Sequence, residues 1–147
     1  MPRDDFVCAP TLRVRWAEVD MQKIVFNGHY LTYIDTAVAE YWRAIGLPYP
    51  EGYVDAYGAD VYLRKATVEY LGSARYDDLL MVCARVSRLG RTSMTFAFEI
   101  YREQEAGVLV TAELVYVNAD PKTMKAAPLP APLRERITRF EKRPPHE

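Results

Sequence analysis

The chain has 147 residues, 19 of them basic and 20 acidic, so its formal net charge at pH 7 is −1. This balance excludes a global electrostatic attraction to nucleic acid or to an anionic membrane. Half of the residues, 50%, are hydrophobic, and a chain of this length can bury the core of one domain. We therefore expect a single domain over residues 1–147, with neither nucleic acid nor a membrane as its partner.

The cysteines also limit the possibilities, because Cys8 and Cys83 are far apart and form no C-x-x-C pair. We expect no disulfide framework and no cysteine-rich zinc site, and free thiols fit a reducing cytoplasm. The longest apolar run covers residues 79–84, far short of the ~20 residues that cross a membrane. No membrane anchor or export signal is expected.

The first predicted element is a strand in the segment TLRVRW, where Leu12, Val14 and Trp16 alternate with arginines. This two-residue period is typical of a strand with one buried face. Over residues 30–45 the apolar side chains instead recur at steps of three and four. That spacing predicts an amphipathic helix about 24 Å long at ~1.5 Å per residue.

Four further strands are predicted after a loop rich in proline and glycine, over residues 61–70, 79–88, 93–102 and 108–118. They are rich in β-branched and aromatic residues, and their short connections predict antiparallel hairpins at all three joins. A proline-rich segment and a short charged helix, over about residues 131–142, end the chain.

The element order of strand, long helix and four strands predicts an α+β domain whose antiparallel sheet packs around one helix. Its core is expected over about residues 11–118, followed by the C-terminal extension. Such a sheet leaves one face and its edges uncovered, so we expect at least a dimer.

Asp20 is the strongest candidate for a catalytic residue. A helix that begins near Asn27 or His29 has unpaired N–H groups in its first turn, which can bind a carbonyl oxygen that gains negative charge. A carboxylate close by can attack an acyl carbon or act as a general base for water. In the alternative interpretation, Asp20 is a solvated loop residue and Asn27 only caps the helix.

Two neighbouring side chains allow similar alternatives. Glu18 either forms an acid and base pair with Asp20 or binds Arg13 or Arg15. His29 is a general acid or base, since its ordinary pKa is near neutrality, or it packs at the start of the helix.

Two further features lie in the second half of the chain. Arg88 and Arg91 flank a glycine turn and could bind a phosphate, although solvated arginines produce the same pattern. The segment MTFAFEIY alternates apolar and polar residues, which predicts the core face of a strand, part of which could line an acyl pocket.

The segment from Asp20 to Tyr30 resembles the opening motif of the hotdog-fold acyl-CoA thioesterases, particularly the 4-hydroxybenzoyl-CoA thioesterase family. That motif has an aspartate, a short turn, an Ile-Val-aromatic step (residues 24–26), a small polar group (residues 27–29) and a helix-heading tyrosine. The segments YLGSARYDDLL, RLGRTSMTFAFEI and AELVYVNADPKTMKAAPLP are similar, in the same order, to later segments of the family. The resemblance covers residues 13 to about 128.

The resemblance implies a hotdog fold and an enzyme that hydrolyses an acyl-CoA to a carboxylic acid and free CoA. It implies Asp20 as nucleophile or general base and the backbone amide of Asn27 or Gly28 as the group that polarises the carbonyl. Arg91, with Arg88 nearby, would contact the CoA phosphates. It implies no metal and no redox cofactor, and a site at the subunit interface of a dimer that is often paired into a tetramer.

Three residues depart from the family pattern. Lys23 stands where glycine is usual, Asn27 where many members have histidine, and His29 where asparagine is common. The change at Asn27 removes a side-chain donor but not the backbone donor, so a mechanism with an aspartate and an amide survives it. Two other functions stay open: a non-catalytic acyl or CoA binder, and a hotdog enoyl-CoA hydratase or dehydratase, which would use an aspartate and a histidine.

Overall fold

The computed structural model describes residues 3–147 and has the predicted α+β architecture. Short 3-10 turns occupy Arg3–Asp5 and Trp16–Glu18. The helices and strands are β1 (Thr11–Arg13), α1 (His29–Ala44), α2 (Glu51–Tyr57), β2 (Asp60–Tyr70), β3 (Leu79–Leu89), β4 (Ser93–Arg102), β5 (Val108–Ala119) and α3 (Ala131–Phe140). No helix within residues 3–147 is both long and apolar enough to cross a membrane.

The five strands form one antiparallel sheet in the order β1-β3-β4-β5-β2. The predicted hairpins between β3 and β4 and between β4 and β5 are confirmed. The predicted hairpin between β2 and β3 is wrong, since β2 pairs with β5 at the opposite side of the sheet. The connecting residues 71–78 do not turn back, because Leu71 and Gly72 donate backbone hydrogen bonds to Leu109 while Asp77 donates one to Val14.

The strand predicted in the segment TLRVRW ends early, at Arg13. The backbone N–H of Arg15 donates to Oε1 of Glu18 (2.8 Å), and the N–H of Glu18 donates to the Arg15 carbonyl (3.0 Å). These two bonds close a 3-10 turn in place of further strand. Trp16, which the alternation placed on the buried face, is therefore 74% exposed.

The core lies between α1 and the concave face of the sheet. The alternating residues of β4 are buried, so the prediction that MTFAFEIY forms a strand core is confirmed. Tyr41 and Trp42 of α1 pack edge-on against Phe96 of β4, with ring centroids 5.0 and 6.1 Å apart. Burying large apolar side chains stabilises the fold by roughly 1.5–3 kcal/mol each. The buried face of α1 consists of Tyr30, Tyr33, Ile34, Ala37, Val38, Tyr41 and Trp42.

The two edges of the sheet differ. Beyond β1, the edge of β3 is covered by the terminal segments of the chain, which accept its backbone N–H groups at Pro10, Cys8, Glu141 and His146. The opposite edge strand, β2, is mostly exposed along its 11 residues. An uncovered edge strand offers unpaired backbone groups to another chain.

Candidate active site

Asp20 begins a tight turn just before α1. Its N–H donates to the carbonyl of Ile24 (3.1 Å), and its own carbonyl accepts the N–H of Lys23 (2.9 Å). Oδ1 of its partly buried carboxylate accepts the N–H of Gln22 (2.8 Å). The turn therefore fixes the backbone of Asp20 and engages one of its carboxylate oxygens.

Two backbone donors directly before α1 are unused in the part of the chain that the structure describes. The helix begins at His29, and among residues 3–147 neither the N–H of Asn27 nor that of Gly28 finds an acceptor. No side chain caps the helix, so the alternative in which Asn27 is the capping residue is wrong. Gly28 occupies the cap position with helical angles, φ −65° and ψ −23°, whereas side-chain capping requires an extended backbone there.

An open pocket of about 340 Å³ joins Asp20 to the start of the helix. Its walls come from the segment of Asp20 to Asn27, from Tyr30 of α1, and from Tyr70 and the two residues Gly72 and Ser73 after β2. The hydroxyl of Tyr70 donates to the Asn27 carbonyl (3.3 Å), and its ring lies 5.6 Å from that of Tyr30. The structure thus brings Asp20 and Asn27, whose N–H has no acceptor among residues 3–147, to one partly aromatic pocket.

Glu18 does not pair with Asp20. Its carboxylate, 5% exposed, accepts hydrogen bonds from the Arg15 guanidinium (2.7 and 2.9 Å) and from the Tyr33 hydroxyl (2.9 Å). Burial alone would raise the pKa of Glu18, but the hydrogen bonds from Arg15 and Tyr33 outweigh it and hold the pKa below its ordinary value. The predicted partnership with Arg15 is confirmed, whereas Arg13 binds Asp77.

His29 is not directed into the pocket. Its ring packs edge-on against Phe26, with centroids 5.9 Å apart, and it is not part of the pocket lining. Lys23, which stands where the resemblance expects glycine, has φ 66°. That left-handed conformation costs a side-chain-bearing residue roughly 1–2 kcal/mol, so the backbone explains the family's preference for glycine.

Arg88 and Arg91 lie far from this pocket within one chain. Tyr70, in the pocket wall, ends β2, whereas Ser93 is in register with Val117 near the Asp60 end of that strand. Eleven residues of strand separate the two ends by about 30 Å at ~3.3 Å per residue. The two arginines, which flank the turn before Ser93, therefore have no contact with Asp20 from the same chain.

Within residues 3–147, other chemical groups that serve as nucleophiles or metal ligands are not assembled into a second site. Cys8 and Cys83 are buried, and burial raises the pKa of each thiol to about 12, so neither is a thiolate at neutral pH. In the part of the chain that the structure describes, no three His, Cys, Asp or Glu side chains form a group that could hold a metal ion.

Sequence reasoning missed Tyr33 and Tyr70. Tyr33 lies three residues after Tyr30, a spacing that places both rings on one face of α1, so a buried acceptor for its hydroxyl could have been sought. Tyr70 opens the segment YLGSARYDDLL, but its contact with Asn27 depends on how β2 lies against the helix. Helical spacing could have found the first tyrosine, and no local signal points to the second.

Comparison with known proteins identifies the family of the chain. The family model of the thioesterase superfamily matches residues 22–109. A protein of Aquifex aeolicus named "Putative esterase" is 33% identical over 94 residues, 64% of this chain and 72% of its own. The acyl-CoA thioester hydrolase YbgC of Escherichia coli O6:H1 is 29% identical over 119 residues, 81% of this chain and 87% of its own.

The solved structures include a hypothetical protein from Aquifex aeolicus with a TM-score of 0.78 and 26% identity, covering 88% of this chain and 98% of that one. The chain belongs to the thioesterase superfamily, and its fold is the hotdog fold. It is a thioester hydrolase. The family match begins at residue 22 and so includes Asn27 and Tyr30 but not Asp20.

Proposed function

We propose that the protein is an acyl-CoA thioesterase, which uses water to convert an acyl-CoA into a carboxylic acid and free CoA. The observation that carries this proposal is the shared pocket of Asp20 and Asn27, next to two backbone N–H groups that have no acceptor among residues 3–147. The similarity to an acyl-CoA thioester hydrolase supports CoA as the thiol.

The start of α1 supplies the electrostatic part of the mechanism. The thioester carbonyl oxygen accepts a hydrogen bond from the N–H of Asn27 or Gly28, at the positive end of the helix dipole. Because negative charge grows on this oxygen as the carbonyl carbon becomes tetrahedral, the donor stabilises the transition state more than the ground state.

Asp20 supplies the chemical step by one of two routes. As a general base it takes a proton from water, the water oxygen attacks the carbonyl carbon, the C–S bond breaks, and the proton passes to the thiolate of CoA. As a nucleophile its carboxylate attacks the carbon and expels the thiolate, and water then hydrolyses the resulting anhydride. Both routes give the same two products without a metal or a redox cofactor.

A second copy of the chain accounts for the distant arginines. Antiparallel pairing of β2 with β2 of a partner would extend the sheet across the exposed edge. This pairing brings the Asp60 end of the partner's strand beside Tyr70, and with it the turn that carries Arg88 and Arg91 of the partner subunit. Those arginines would then approach the CoA phosphates, in a dimer or a dimer of dimers.

The proposal is tested by offering the native protein aromatic, short-chain and long-chain acyl-CoAs and recording free thiol. We expect thiol release from at least one of them, which also ranks the acyl groups. CoA binding without thiol release would favour a non-catalytic binder, and hydration of an enoyl-CoA without thiol release would favour the hydratase. Either result would overturn the thioesterase assignment.

A further inference from the structure

Glu18 connects three parts of the site although it lies outside the pocket. Its side chain accepts the hydroxyl of Tyr33 on α1 (2.9 Å), and its backbone carbonyl accepts the N–H of Phe26 (3.0 Å). Asp20 follows Glu18 by two residues, and Asn27 follows Phe26 by one. One residue therefore links the beginning of the Asp20 loop, the end of that loop and the helix.

We propose that Glu18 is a positioning residue, which holds the loop of residues 20–28 against α1 through Tyr33 and Phe26. The proposal rests on the function proposed above, because it concerns the distance between the Asp20 carboxylate and the backbone donors of Asn27 and Gly28. A displacement of about 1 Å between such groups can lower a rate about 10²-fold.

The carboxylate of Glu18 has no unused hydrogen-bond acceptor with which to contact a substrate. Oε1 accepts the Arg15 N–H and the Tyr33 hydroxyl, and Oε2 accepts two donors of the Arg15 guanidinium. The side chain is 5% exposed and takes no part in the pocket lining. Its effect on turnover therefore passes through the groups that it fixes.

The same helix provides a matched control. Tyr41, like Tyr33, is a buried tyrosine of α1 that donates to a buried glutamate, here Oε2 of Glu141 (2.7 Å). The two tyrosines are eight residues, or about 12 Å, apart along the helix. Tyr33→Phe and Tyr41→Phe thus remove the same hydroxyl from the same kind of bond, and only the first bond holds the Asp20 loop.

The test compares kcat and KM of the two variants on the best acyl-CoA of the panel. We expect Tyr33→Phe to lower kcat about tenfold with KM within about twofold, because misplacement acts on the reacting geometry. Tyr41→Phe is expected to keep kcat within about twofold of native. Equal losses in both variants, or no loss in Tyr33→Phe, would overturn the positioning role.

Amide hydrogen exchange tests the same link without a substrate. Tyr33→Phe is expected to speed exchange at the Phe26 amide, which donates to the backbone carbonyl of Glu18. Exchange at the Val86 amide, which donates to the carboxylate of Glu141, should not change. Tyr41→Phe should speed exchange at the Val86 amide and leave the Phe26 amide unchanged. If the native protein hydrolyses no thioester, the proposed function fails and this readout still decides the link, since an unchanged Phe26 amide in Tyr33→Phe would refute it.

Discussion

The two ends of helix α1 carry the same chemical pair, with the pKa of the glutamate shifted in opposite directions. At the N-terminal end Tyr33 donates to Glu18, and at the C-terminal end Tyr41 donates to Glu141. Hydrogen bonds from Arg15 and Tyr33 overcome burial and lower the pKa of Glu18, whereas burial raises the pKa of Glu141. Oε1 of Glu141 has no hydrogen-bond partner in residues 3–147.

This difference separates the end of the helix that borders the pocket from the end that the C-terminal segment covers. Glu141 closes the edge of β3 by accepting the Val86 N–H, in a place that α3 and the C-terminal segment cover. Glu18 stays ionised beside an exposed arginine, in the segment that leads to an open pocket. A carboxylate that keeps its charge is held firmly by charged donors, which suits a loop whose geometry must not vary.

A backbone donor at the pocket end of the helix can be removed with Gly28→Pro. The φ of −65° at Gly28 suits proline, and the substitution removes one N–H. Proline also disfavours the helical angles of Asn27 in the turn closed by the His29 N–H and the Phe26 carbonyl, so native hydrogen-exchange protection of the His29 amide must accompany the loss of rate. If that N–H binds the carbonyl oxygen, kcat should fall about 10²–10³-fold. Gly28→Ala is the control, because it adds a similar contact with the Phe26 ring and keeps the N–H. A native kcat in Gly28→Pro would leave the Asn27 N–H as the donor to the carbonyl oxygen.

The opposite pKa shifts predict unequal costs for Glu18→Gln and Glu141→Gln. At pH 7 the first should lower the free energy of unfolding by about 2 kcal/mol, because it weakens charge-assisted bonds, and the second by less than about 1 kcal/mol. Urea unfolding of both variants beside the native protein measures the two values. Equal costs would contradict the comparison.

The dependence on pH sharpens the same comparison. The pKa of Glu18 lies below the ordinary 4.5, so its contribution to stability is present above pH 4.5 and is lost as the pH falls through the lowered value. The pKa of Glu141 is raised above 4.5, so its contribution is present below pH 4.5 and is lost as the pH rises through the raised value. The native-minus-Gln difference in unfolding free energy should therefore change in opposite directions with pH at the two sites.

The smallest expected effect concerns the turn after Asp20. Lys23→Gly should raise the free energy of unfolding by about 0.5 kcal/mol, because relief of the left-handed strain exceeds the entropy that glycine loses on folding. Lys122→Gly, at an exposed loop position without positive φ, lacks that relief and should not stabilise. Thermal unfolding compares them, and a loss of stability in Lys23→Gly would show that the turn is not strained.

Local sequence patterns predicted α1 and the strands β2 to β5 to within one or two residues. The helix has a buried face whose spacing is visible in the sequence, and the strands are rich in β-branched and aromatic residues. The sheet order was not predictable in this way, since β2 pairs with β5 across the whole domain. The end of β1 was missed because the side chain of Glu18 competes with the strand for the Arg15 N–H.

For the site, the residues before the helix led to Asp20 and Asn27 and the resemblance added Gly28, and the structure brings all three to one region. It did not lead to Tyr33 and Tyr70, whose roles depend on the packing of α1 against Glu18 and β2. The catalytic role of Asp20 and the phosphate contacts of Arg88 and Arg91 stay predictions. In the proposed dimer Arg88 and Arg91 act at the pocket of the partner subunit, so the structure of one chain does not test them.

The most direct test of the account is thiol release by Asp20→Asn beside Asp77→Asn. Asp77 is an exposed turn aspartate that binds Arg13, so its variant removes the same charge outside the pocket. We predict that Asp20→Asn has the same unfolding temperature as the native protein and that its kcat is at least about 10²-fold lower. Asp77→Asn should hydrolyse the substrate with the kcat of the native protein. Unchanged thiol release in Asp20→Asn would keep the activity and remove Asp20 from its mechanism.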